Sequence, residues 1–183
     1  MSAASVDAPR GHLHQGAIYS GVPVLAYPGI ALALRPRREP DWSQLRVERV
    51  TQDQAAFAGD DWMVAYAKRR PVLVLSPKRE LRQRTLRVLA MYSYRPDDFL
   101  GRNRDRIESG NFPQLLHVES NPAIKWEAGV ISLTQLIEVP TAIFEGNYVG
   151  GVMEACSLTD ASLALVIARM RAYLSIMDRG RAR

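Results

Sequence analysis

An arginine at the mouth of one apolar strand and hydroxyls at the end of the next are the groups in this chain best suited to chemistry. The run Arg70-Pro71-Val72-Leu73-Val74-Leu75-Ser76 sets a guanidinium where a buried strand begins, and Val88-Leu89-Ala90-Met91 ends in Tyr92-Ser93. A guanidinium stays charged and offers paired donors in a rigid fork, which fits two phosphate oxygens in a way an ammonium does not. Beside a hydroxyl at a strand end it makes a phosphate grip, to which Lys68 and Arg69 add positive field. Tyr92 offers a phenol or a ring for a base to stack on, and Ser93 offers an alcohol; the sequence leaves the choice open. In the plain alternative Arg70 is a solvent-facing residue at a strand entrance, Tyr92 a packed aromatic and Ser93 an edge residue.

Other titratable groups are weaker candidates. His12, His14 and His117 have side chains that titrate near neutrality, but two lie in a polar leader and the third on a short strand, where packed or exposed histidines are common. Glu39, Asp60 and Asp61 belong to a long loop and read as solvating charge. Asp97-Asp98 has no partner ligands at a recognisable spacing, one cysteine cannot build a zinc site, and no Gly-rich phosphate loop precedes a Lys-Ser/Thr pair. No metal and no cofactor is expected. Lys78, Arg79, Arg82, Arg84 and Arg87, with Arg102, Arg104 and Arg106, form either a track for a nucleic-acid backbone or a solvated hairpin and loop.

The elements that must hold these groups are mostly strands. Gln15 to Val22 is a first strand, with Val24 to Tyr27 and Ile30 to Leu34 a folded-back excursion. Arg35 to Asp61 reads as an insertion, with Arg46 to Thr51 an exposed strand and Gln52 to Phe57 a helical turn. Trp62 to Ala67 and Pro71 to Ser76 read as two strands, the second an unbroken apolar run that must be covered on both faces. Thr85 to Tyr94 pairs antiparallel with it across a basic turn. Arg95 to Pro113 is a connection or single helix, with Asp98 placed to cap it. Leu115 to Glu119 and Gly129 to Val139 are strands, the latter alternating with one irregularity.

The carboxy-terminal helix is the clearest element. Ser157 or Thr159 can cap it, Asp160 suits the positive end of its dipole, and Leu163, Val166, Ile167, Met170, Leu174 and Met177 form one apolar stripe that Gly180 ends. Strands in succession followed by one packed helix, without βαβ alternation, predict a mainly β (α+β) fold, a small antiparallel barrel. With 183 residues, 47% of them apolar, the chain fills one core, so a single domain over 15–178 is expected, with a flexible leader at 1–14, an insertion at about 23–61 and a basic tail at 179–183. Lys and Arg outnumber Asp and Glu by 24 to 19, which favours an anionic partner. The start lacks the basic and apolar regions of a signal peptide, and the most apolar stretch, Gly21 to Leu34, is short and broken by Pro23 and Pro28. A soluble cytoplasmic protein is expected, with no membrane partner and Cys156 packed in the core or beside the helix.

The order of these signals resembles the MazF/PemK toxin ribonucleases of toxin–antitoxin systems. Gln15-Gly16-Ala17-Ile18-Tyr19 is similar to the opening strand of that family, Arg70 to Ser76 to its Arg-Pro-apolar-Ser strand, and Val88 to Ser93 to the strand that ends in Thr or Ser. Val130 to Pro140, then Gly151-Val152 to Cys156 and the Ser157-Leu158-Thr159-Asp160 cap, complete the likeness. The match covers Gln15 to Met177, apart from the segment between Val22 and Trp62. The resemblance implies an SH3-like barrel, a homodimer whose groove binds single-stranded RNA, and a cognate antitoxin that blocks the groove with an acidic segment. It implies metal-independent endoribonuclease activity with Arg70 on the phosphate and Ser93 or Tyr92 at the family's threonine position. Lys68, Arg69, Lys78, Arg79 and Arg82 are then RNA-binding. The family's loop Glu-Gln pair is not matched, so the general base has no assigned residue. A non-catalytic nucleic-acid-binding regulator, or a gyrase poison like the related CcdB proteins, is the alternative.

Overall fold

Apolar residues on both faces of one sheet decide this architecture. In the computed structural model, which describes residues 3–25, 31–36, 46–48, 62–144 and 152–181, the strands begin with β1 (Val6–Asp7), β2 (Ala17–Leu25), β3 (Ala31–Pro36), β4 (Arg46–Glu48), β5 (Trp62–Val74) and β6 (Thr85–Ser93). Two short helices follow, α1 (Phe99–Arg102) and α2 (Arg104–Glu108), then β7 (Leu115–Val118), β8 (Gly129–Pro140), β9 (Met153–Leu158) and the long α3 (Asp160–Arg181). The sheet runs in the order β1-β9-β2-β5-β6-β8-β7 with antiparallel ladders, and β3 pairs with both β4 and β5.

The mainly β expectation holds, but the sheet is not closed into a barrel. Its two ends meet through one isolated parallel bridge, Ala4 with Val118, where Ala4 N donates to His117 O at 3.0 Å and Glu119 N to Ala4 O at 2.8 Å. At two and four residues, β1 and β7 are too short to extend that contact into a ladder. The residues expected to form a flexible leader are docked: Ala4 and Val6 are buried, and Val6 pairs with Leu158. Farther along, Glu154 accepts from the backbone N–H groups of Arg10 and Gly11 at 2.9 and 2.8 Å and pins that segment to β9.

Strand alternation explains the unbroken apolar run of β5. Val72 and Val74 join Ala17, Tyr19, Val22, Leu86 and Val88 on one face. Leu73 joins Ile18, Leu89, Met91 and Ile131 on the other, where Leu163, Val166 and Met170 of α3 cover it. Gly16, at φ +92°, turns the chain into β2 and leaves room for Leu163, whose Cδ2 would lie 3.3 Å from a Cβ there. Cys156 is in this second core, where burial pushes its thiol up to about 12.

Several expected boundaries shift. Trp62–Val74 is one strand where two were expected, and β2 continues to Leu25, so the first strand extends past the expected start of the insertion. Asp98 caps α1 as expected, accepting from Gly101 N at 2.8 Å, but two short helices replace the single one. Helix α3 is capped by Thr159, whose Oγ1 accepts from Ser162 N at 3.2 Å, whereas Ser157 is buried in β9. That helix also runs through Gly180 to Arg181. The helical turn expected at Gln52 to Phe57, and Glu39, Asp60 and Asp61, lie outside the described residues. No helix among the described residues is long and apolar enough to cross a membrane.

Thr159→Ala is expected to cost about 1 kcal/mol through loss of the cap. Leu73→Ala is expected to cost about 2–5 kcal/mol through an interior cavity. Urea unfolding midpoints check both, and an unchanged midpoint for Thr159→Ala would remove the cap from the account.

Candidate nucleic-acid interface

The register of β5 against β6 determines which candidate residues meet. Val72 faces Ala90 and Val74 faces Val88, so continuing the ladder by two residues sets Arg70 beside Tyr92. The guanidinium carbon of Arg70 lies 4.3 Å from the centre of the Tyr92 ring. Such a stack is worth roughly 0.5–2 kcal/mol, and it fixes a long side chain that would otherwise sample many rotamers. The Tyr92 hydroxyl donates to Gln135 Oε1. Gln135 reaches it because four residues of β8, Ser132 to Gln135, stand opposite Ala90 alone: Leu89 pairs with Leu136 and Met91 with Ile131. This bulge is the irregularity visible in the alternation of that strand.

The other candidates fall elsewhere. Ser93 follows Tyr92 directly, so it projects from the opposite face of the strand, exposed and paired with Gly129. A side chain on Gly129 would meet the Tyr92 carbonyl at 3.1 Å, so glycine permits the close approach. The structure therefore brings Tyr92, and not Ser93, to Arg70. Arg69 is exposed on the face opposite to Arg70 and sits opposite Pro23, and Lys68 occupies the register position opposite Val24. Lys78, Arg79 and Arg82 belong to the turn at the far end of the β5–β6 hairpin, about 20 Å from Arg70 at ~3.3 Å per residue. There Glu80 bonds Arg87 and lies 3.8 Å from Arg79.

A second cluster lies on the same face. Tyr92 pairs with Val130 and Val130 with His117, so Arg70, Tyr92, Val130 and His117 form one row across four strands, about 15 Å long at ~4.8 Å per strand. At its far end the Tyr94 hydroxyl lies 2.9 Å from His117 Nδ1, and the Arg104 guanidinium sits 5.0 Å from the Tyr94 ring centre. Arg104 Nε donates to Glu108 Oε1 at 2.7 Å, and that oxygen is 3.8 Å from His117 Nε2. Burial, with help from Glu108, pushes the Tyr94 phenol up to about 12. Burial lowers the His117 pKa, opposed by the Glu108 charge. A neutral imidazole with its proton on Nε2 toward Glu108 leaves Nδ1 to accept from Tyr94. Arg104 is thus engaged with Glu108 and Tyr94, and Arg106 sits 5.0 Å over the Phe112 ring, so both are held by aromatic neighbours whichever of the two readings of this arginine set applies. The i, i+4 spacing of Arg104 and Glu108 is the signal that sequence reasoning passed over.

Ser157, His14 and Glu154 also converge, with Ser157 Oγ 3.1 Å from His14 Nε2 and donating to Glu154 at 2.9 Å. Ser157 is fully buried, so this trio holds β9 to the N-terminal segment and offers no nucleophile to a substrate. Among the described residues no three His, Cys, Asp or Glu side chains form a metal-binding group. Comparison with protein-family models, curated proteins and solved structures returns no match.

The lowered His117 pKa means that the folded protein resists protonation of that ring. Its contribution to stability is complete above about 6.5 and is lost as pH falls below that value toward the folded pKa. The ring-proton shifts of His117 are expected to titrate with a midpoint below 6.5, and Glu108→Gln is expected to lower it further. A midpoint at or above 6.5 would contradict the buried neutral ring.

Proposed function

We propose that this face binds single-stranded RNA and that Arg70 promotes its metal-independent cleavage. The observation that carries the reading is the Arg70–Tyr92 stack: a charge-fixed phosphate ligand and a ring suited to a base, held on rigid strands of a chain with net charge +5. In the reaction the ribose 2′-oxygen attacks the adjacent phosphorus and the 5′-oxygen departs, leaving a 2′,3′-cyclic phosphate. One group accepts the 2′-hydroxyl proton and another protonates the leaving oxygen. Arg70 supplies charge where the phosphorane carries most negative charge.

In this reading the fold is a variant of the SH3-like barrel, the protein acts as a toxin endoribonuclease of the MazF/PemK type in the cytoplasm, and two copies assemble around a shared groove that an acidic antitoxin segment fills. Tyr92 serves as the base platform at the family's threonine position, and Ser93, on the opposite face of the strand, takes no part at the reacting phosphate. Lys68 and Arg69 on the same strand and Lys78, Arg79 and Arg82 on the distant turn contribute field. A second reading, RNA binding without cleavage, draws support from the Tyr92 hydroxyl: its proton is committed to Gln135, which suits a stacking platform better than a proton donor.

Purified protein is expected to cut single-stranded RNA in the presence of a chelator, and Arg70→Ala to reduce the rate at least 100-fold while circular dichroism stays unchanged. Tyr92→Ala should weaken RNA binding about tenfold, with Tyr92→Phe largely retaining it. Full cleavage by folded Arg70→Ala would remove Arg70 from the mechanism. Tight binding with no cleavage by the unmodified chain would select the second reading.

A further inference from the structure

An open cleft of about 580 Å³ adjoins Tyr94, beyond the end of β6, and its lining differs from that of the Arg70 site. Tyr94, Arg104, Ser120, Lys125, Trp126 and Glu127 are among the residues that line it. The size falls within the roughly 300–1,000 Å³ of small-molecule sites. The turn carrying Lys125 and Trp126 is fixed by paired backbone bonds between Asn121 and Trp126 at 2.9 and 3.0 Å, and Lys125 takes a left-handed conformation, φ 56°.

We propose that this cleft holds one nucleotide, with a purine base on the Arg104–Tyr94 stack and its phosphate at Lys125 and Ser120. The proposal rests on the RNA-binding reading above and extends it to a subsite. Tyr94 covers one face of the Arg104 guanidinium, and that side chain is 51% exposed, so its second face is available to a planar base. Glu127 suits a base edge that donates, such as the N1–H and amino group of guanine, which a carboxylate can accept together. Trp126 lines the same cleft, so its indole emission reports on an occupant. Two arginine-on-tyrosine stacks, with tyrosines two residues apart in the chain at the end of β6, then serve successive units of one RNA strand.

Calorimetric titration of the full chain with 5′-GMP tests this. One saturable site is expected, with Arg104→Ala and Lys125→Asn each weakening it at least tenfold; asparagine tolerates the left-handed backbone, so the turn is retained. The change in tryptophan emission on GMP binding should vanish in Trp126→Phe. The proposal is overturned if GMP shows no saturable binding, if inorganic phosphate binds as tightly as GMP, or if both folded rim variants bind unchanged. GMP binding together with RNA cleavage indifferent to Arg70→Ala would defeat the cleavage reading alone, and Arg70-dependent cleavage without GMP binding would defeat the subsite alone.

Discussion

The pairing of Val72 with Ala90 is the constraint from which the rest of the molecule follows. Side chains on a strand alternate, so a slip of one residue would turn Val72, Val74 and Arg70 to the face that α3 covers and send Leu73 to the other. Two apolar cores with different neighbours, one on each face, make such a slip expensive. The same register that protects both cores therefore sets the Arg70 guanidinium over the Tyr92 ring and, through Val130, aligns that pair with His117. The position of the candidate site is a by-product of core packing.

What the sequence made legible was local or periodic. The β5–β6 hairpin could be read because an apolar run, a polar turn and a second apolar run lie close together along the chain. The terminal helix could be read because its cap and stripe repeat at fixed spacing. What escaped depends on contacts between distant residues. Nothing near Ala4 or Val6 signals a strand, since two residues carry no period, and their partners Val118 and Leu158 lie more than a hundred positions away. The meeting of Tyr94 with His117, 23 residues apart, needs α1, α2 and β7 already in place. Barrel closure was a reasonable inference from strand count, and it failed on strand length at the sheet ends.

Within the candidate site, sequence logic found Arg70 and Tyr92 but could not choose between Tyr92 and Ser93. That choice is a matter of pleat parity, which depends on where the strand begins and on whether a bulge intervenes. The cations of the β5–β6 turn misled for a related reason: proximity in sequence to Arg70 becomes separation along a straight hairpin. The four-residue bulge of β8 acts in the opposite sense, bringing Gln135 to a ring that regular pairing would leave without that partner.

The bridge at Ala4 has a consequence for how the molecule is handled. It occupies the outer side of β7, which would otherwise present unpaired amide and carbonyl groups to any passing strand. Peeling the first few residues away, by a bulky fusion at that end or by proteolysis, would uncover this border and the rim of β9 at once. Each molecule would then offer two complementary seams, and the natural outcome is chain-to-chain strand exchange and precipitation without loss of either apolar core.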